Sequence, residues 1–287
     1  MHTIDLYGQP LGLDITLACG QAFRWRRGEN GLWQGVIGDR LVELSVEDDA
    51  LLYRTFPDGG AELVKDYLRL DDDVKSIYSE LTSRDNHLAA QIRRFYGLRL
   101  LRQDPTETLI SFMCSAANNI NRISNSIEAL CRHFGELVCE KDGQCYYAFP
   151  TCERLAGADQ IDKMCGLGFR GRNIRDAACE ILVRGENWLD DLRDAPYMEA
   201  RRQLMTLKGV GAKIADCVCL FALDKDEAVP VDTHVRQLAQ RLFLPDLKSK
   251  SLTDGVYHKI VESFWDRYGS RAGWAQQFLF YEDLLRK

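Results

Sequence analysis

The chain has 287 residues, 46% hydrophobic and 28% charged, which is enough to bury the core of one large or two ordinary domains and too apolar for a disordered protein. No run approaches the roughly 20 apolar residues a membrane span needs, and MHTIDLYGQP lacks the basic-then-apolar layout of a secretion signal, so a cytosolic compartment without membrane partners is expected. The net charge of −6 does not exclude nucleic acid, because residues 39–80 hold twelve acids against five bases and leave the remainder slightly basic.

Between residues 20 and 56, FRWRR, GLWQGVIG, RLVELSV and LLYRTF mix aromatic and β-branched residues among Gly, Asn and Asp, which predicts short antiparallel strands. From Leu63 onward the apolar residues follow a helical period, punctuated at Asp104-Pro105, Gly166-Leu167-Gly168 and Gly209-Val210-Gly211. No repeat, low-complexity tract or Gly/Ser linker separates the two regions. The expected fold is therefore α+β, with an N-terminal antiparallel sheet domain and flanking helices over 1–100, packed on a larger all-α domain over 101–287. Two runs are rich in arginine, 91–102 with four and no acid and 170–175 with three; they read either as phosphate-binding surface or as solvated helix faces. The ten cysteines are scattered singly without a CxxC pair, which favours reduced thiols and predicts neither a metal site nor another cofactor.

The most informative stretch runs from Leu204 to Leu242. An apolar helix end at Leu204 and Leu207 meets Lys208-Gly209-Val210-Gly211, where glycines permit positive φ and the close approach of another backbone. A new helix is predicted to start near Ala212, its unpaired first-turn amides forming a site for a phosphate oxygen. Ile214, Val218 and Phe221 make its core face, and Lys213 and Cys217 share another. The helix dipole disfavours a cation at Lys213, so this lysine reads as an amine nucleophile or, more plainly, as a side chain reaching phosphate or solvent. Val229-Pro230-Val231 must be extended, and Asp232 then sits at the N-cap of a helix striped by Val235, Leu238, Ala239 and Leu242. Capping alone would account for this aspartate.

GVGAK followed by VPVDTH resembles the helix-hairpin-helix, Gly/Pro/Asp superfamily of DNA glycosylases. The resemblance implies that Lys213 attacks the sugar C1′ and that Asp232 assists it. CGQAFRW at 19–25, LLRQDPTETLISFMCSAANNINRI at 100–123, GLGFRGR at 166–172, DCVCLFALDK at 216–225 and GWAQQFLF at 273–280 are similar, in order and over essentially the whole chain, to the 8-oxoguanine DNA glycosylase family. That family implies a helix-hairpin-helix glycosylase domain, duplex DNA containing 8-oxoguanine as partner, a monomer, and a bacterial nucleoid or eukaryotic nuclear location.

The same resemblance assigns roles. The Gly20 carbonyl would meet N7–H of 8-oxoguanine, Cys217 and Phe280 would sandwich the flipped purine, and Gln276 would read its edge. Cys217 would also pair with Lys213 as thiolate and ammonium. Gly209, Gly211 and His234, with Asp283 behind it, would hold DNA; Arg122 and Arg170 would read the unpaired cytosine, and Asn118 and Asn119 would form part of the wedge. Ala117 departs from the asparagine that many members carry there, which puts opposite-base discrimination in doubt. Rival readings are a glycosylase for another damaged base on this scaffold and a non-catalytic DNA-binding hairpin.

Overall fold

A computed structural model describes residues 1–116, 118–185, 187–247 and 251–286. The chain opens with strand β1 (His2–Asp5) and a one-turn helix α1 (Leu13–Thr16), followed by β2 (Arg26–Arg27), β3 (Trp33–Ile37), β4 (Arg40–Glu47) and β5 (Ala50–Phe56). Among the described residues these strands form an antiparallel sheet in the order β1-β5-β4-β3-β2. Two-residue turns set the register, pairing Ile37 with Arg40 and Glu47 with Ala50. Burial alternates along β5, where Leu51, Tyr53 and Thr55 face inward.

Two strands differ from expectation. HTID is short and polar, and it becomes β1 only by pairing with β5, from His2 opposite Tyr53 to Asp5 opposite Ala50. In FRWRR only Arg26–Arg27 pairs, because Phe23 and Arg24 are drawn off the sheet toward the helices.

The chain continues through α2 (Ala61–Tyr67), α3 (Val74–Arg84), α4 (Asn86–Arg94), α5 (Pro105–Cys114) and α6 (Ile120–Phe134) to a hairpin of β6 (Leu137–Lys141) and β7 (Gln144–Tyr147). Then come α7 (Cys152–Ala156), α8 (Ile161–Met164), α9 (Phe169–Arg184), α10 (Trp188–Asp191), α11 (Tyr197–Leu204), α12 (Ala212–Ala222), α13 (Thr233–Leu242), α14 (Asp254–Tyr268) and α15 (Ala272–Leu284). Helix starts are encoded locally: Asp73, Asp85, Asp104, Asn119, Asp232 and Thr253 each accept a hydrogen bond from the amide three residues on. The hairpin corrects the all-α expectation for the larger part. Its turn, Asp142-Gly143, has φ of 52° and 74°, the geometry an Asp-Gly pair favours between two strands.

The inner face of the sheet packs on α2 through Leu44, Leu51, Tyr53, Val64 and Leu68. The helical core reaches back into the first hundred residues, where Val74, Ile77, Leu81, Leu88 and Ile92 join Phe264 and Phe278. Arginine in 91–102 is only partly surface. Arg99 is fully buried and donates to the carbonyls of Pro10 at 2.9 Å and Arg69 at 2.6 Å, while Arg102 pairs with Asp224 at 2.8 Å and Asp66 at 2.6 Å. Neither matches the two readings of that run, since burial with hydrogen-bonded carbonyls or acids has replaced both phosphate and solvent.

Candidate active site

The turn between α11 and α12 begins with buried Leu204 and Leu207. Gly209 follows at φ 84°, and a Cβ there would stand 2.7 Å from Asn173 Nδ2, so both backbone and space require glycine. Gly211 departs from the expected positive φ. At φ −94° and ψ −179° it is extended, and an added Cβ would meet nothing within 4 Å. It opens α12 without a side-chain cap, which leaves the first-turn amides available to an anion.

Lys213 and Cys217, one turn apart on α12, line a pocket of about 490 Å³. Gly20 and Phe23 reach it from the segment before β2, Phe112 and Ser115 from the end of α5, Asp232 and His234 from the start of α13, and Gln276 and Phe280 from α15. Helix docking makes this convergence. α12 lies along α5 with the Phe112 and Phe221 rings stacked at 5.6 Å, and α15 packs on α13.

Lys213 Nζ donates to Ser115 Oγ at 3.0 Å and lies 4.8 Å from the centre of the Phe112 ring. Burial pushes the Cys217 thiol up to about 12, against the downward pull of the neighbouring Lys213. Asp232 caps α13 through Oδ1, which accepts from Val235 N at 2.9 Å. The preceding Val229 and Val231 are buried, and Val231 N donates to Tyr257 Oη at 3.2 Å, which anchors the extended segment that delivers Asp232.

Gln276 is 3% exposed, and among the described residues its Oε1 has no hydrogen-bond partner although the residue lines the pocket. A buried amide in this state suits the polar edge of a ligand. Gly20 has φ 82°, a backbone conformation that favours glycine, and an added Cβ would stand 3.4 Å from Phe280 Cε1, an ordinary contact. His234 stands edge-on to Phe280 at 6.1 Å, and its Nδ1 lies 3.2 Å from Asp283 Oδ2. Asp283 Oδ1 accepts from Arg241 at 3.1 Å; although burial raises its carboxyl, the bonds from His234 and Arg241 prevail and hold it below the ordinary range.

Two family models match adjoining parts of the chain: "8-oxoguanine DNA glycosylase, N-terminal domain" over residues 3–109 and "HhH-GPD superfamily base excision DNA repair protein" over residues 110–267. The chain belongs to the 8-oxoguanine DNA glycosylase family. The N-glycosylase/DNA lyase OGG1 of Arabidopsis thaliana is 36% identical over 96% of this chain and 78% of that protein. A solved structure of MBOgg1 with a low-affinity DNA ligand has 34% identity and a TM-score of 0.88, covering 99% of this chain and 95% of that one. The Clostridium acetobutylicum 8-oxoguanine glycosylase/lyase, solved with double-stranded DNA carrying cytosine opposite 8-oxoG, has 31% identity and a TM-score of 0.86 over 99% of this chain and 93% of that one.

The residues that the family resemblance assigns to the DNA face fall into two groups, inside and outside the pocket lining. Asn118 and Asn119 line it: Asn118 Nδ2 donates to the Cys114 carbonyl at 3.1 Å, and Asn119 caps α6 by accepting from Arg122 N at 3.0 Å. Arg122, Arg170, Gly209, Gly211 and Asp283 are outside its lining. Arg170 Nε donates to the Ala116 carbonyl at 2.7 Å, tying α9 to the loop that carries the asparagines, and its guanidinium lies 4.7 Å from the ring of Phe169, an aromatic left 68% exposed. Ala117 lies outside the described residues. Sequence reasoning passed over Phe23, Phe112, Ser115 and exposed Phe169; apart from their membership in the quoted blocks, nothing local distinguishes them from core or loop residues.

Proposed function

We propose that this protein excises 8-oxoguanine from duplex DNA as a bifunctional glycosylase and AP lyase, with Lys213 as nucleophile and Asp232 as assisting carboxylate. One observation carries the reading: a lysine and an aspartate from two different helix starts meet in one pocket that also holds the unpartnered amide oxygen of Gln276. The pocket's size is in the range of small-ligand sites, about 300–1,000 Å³, and suits a flipped nucleotide. The names of the Arabidopsis and Clostridium relatives support the same lesion and the same paired activities here.

In this reading the Gly20 backbone meets the lesion's N7–H, Gln276 reads its Watson–Crick edge, and the Cys217 thiol and the Phe280 ring enclose the purine. Asp232 stabilises the positive charge that develops on the sugar. Lys213 attacks C1′ as the free amine, and the C1′–N9 bond breaks with its electron pair on the purine, which takes up the proton the attacking amine loses. Sugar ring opening yields an imine that acidifies the C2′ proton. Loss of that proton expels the 3′ phosphate, and none of these steps calls on a metal or organic cofactor.

On the DNA face, His234 backed by Asp283, and the amides at Gly209 and Gly211, contact the backbone, while Arg122, Arg170, Asn118 and Asn119 attend the strand opposite. The protein acts as a monomer, wherever the chromosome is held: nucleoid or nucleus. No helix among the described residues is long and apolar enough to cross a membrane. Borohydride trapping on an 8-oxoguanine duplex tests the reading. A covalent adduct with wild type that vanishes in Lys213→Gln is expected; no adduct, or one that survives the substitution, overturns it.

A further inference from the structure

Lys213 is held by a group that the steps above leave unused. Ser115, the residue that ends α5, accepts a hydrogen bond from Lys213 Nζ at 3.0 Å, and its own Oγ donates to the Phe112 carbonyl at 2.6 Å. A serine hydroxyl has one proton. With that proton committed to the carbonyl, Ser115 can only accept from the lysine and cannot take its lone pair. A neutral amine held in this way keeps one N–H on Ser115, and its lone pair points elsewhere. The Phe112 ring, 4.8 Å from Nζ, limits the remaining directions and leaves the pocket interior.

We infer that Ser115 is a positioning residue for the reaction, orienting the lone pair of Lys213 toward the sugar carbon; the inference rests on the reading of Lys213 as nucleophile. Orientation of this kind acts on the chemical step and leaves DNA binding alone.

The experiment is single-turnover excision from an 8-oxoguanine duplex, with DNA affinity and thermal melting measured on the same preparations. Ser115→Ala is expected to lower the single-turnover rate about tenfold, a change of ~1.4 kcal/mol, at unchanged DNA affinity. Ser115→Thr restores the rate. Ser115→Cys, close in volume but with a weak acceptor, behaves like Ser115→Ala and covers the case in which the alanine chain folds poorly. A wild-type rate in Ser115→Ala, beside an active wild type, overturns the role of Ser115 alone. A slow variant that Thr fails to restore, or whose DNA affinity falls along with its rate, also overturns it, leaving a merely structural serine. A wild type that neither excises nor traps overturns this inference together with the function it rests on.

Discussion

Gln276 shows at the level of one side chain how a folded protein reserves a polar group for its ligand. A buried acceptor without a partner costs about 1–3 kcal/mol, and Oε1 of Gln276 is such an acceptor at 3% exposure. Gln276→Leu removes that cost at similar volume. The expected outcome is a melting temperature equal to or above that of wild type, together with single-turnover excision slowed about tenfold or more. Equal loss of stability and activity would place Gln276 in the core instead. Its spacing from Phe280 put both on one helix face, but nothing in GWAQQFLF shows that the next residue, Gln277, instead bonds the Cys19 carbonyl at 3.0 Å. That difference arises from which side of α15 meets the segment carrying Gly20.

Asp232 belongs to the scale of the element, because it both starts α13 and lines the pocket. The two duties separate chemically. Asparagine caps a helix about as well as aspartate, so Asp232→Asn should keep the melting temperature within the error of the measurement while slowing excision about a hundredfold by removing charge beside the sugar. Asp232→Ala should show the same loss of rate and a further cost of about 1 kcal/mol in stability from the lost cap. If asparagine retained full activity, the carboxylate would be a cap alone. Helix starts were legible because each is decided by residues within four positions of one another, as at Asp104-Pro105 and Asp232. The Asp142-Gly143 turn was equally local, and the hairpin around it was overlooked among strong helical patterns.

At the scale of the whole molecule, Arg24 joins three parts of the chain. It leaves the sheet side, donates to Glu107 on α5 at 3.3 Å, and also donates to the Tyr147 carbonyl of β7. Burial raises the Glu107 carboxyl to about 6, with Arg24 opposing and Asp104 adding to the rise. The folded state therefore holds this proton above the unfolded value of about 4.3, and stability is lost as pH climbs between the two. Relative to Glu107→Gln, which cannot titrate, wild type should lose about 2 kcal/mol between roughly pH 4 and pH 7, read from denaturant melts. A constant difference across that window would show that Glu107 titrates alike in the folded and unfolded chains. What the sequence by itself determined are the hairpin glycines, the caps, the paired Lys213 and Asp232, and the resemblance blocks, because each depends on residues adjacent in the chain or on a contiguous motif. The tertiary structure alone decided that Ser115 holds Lys213 across 98 residues, that Arg99 is buried, and that HTID becomes a strand. Those contacts depend on how helices and strands dock, and docking is set by the summed shape of distant faces rather than by any local run.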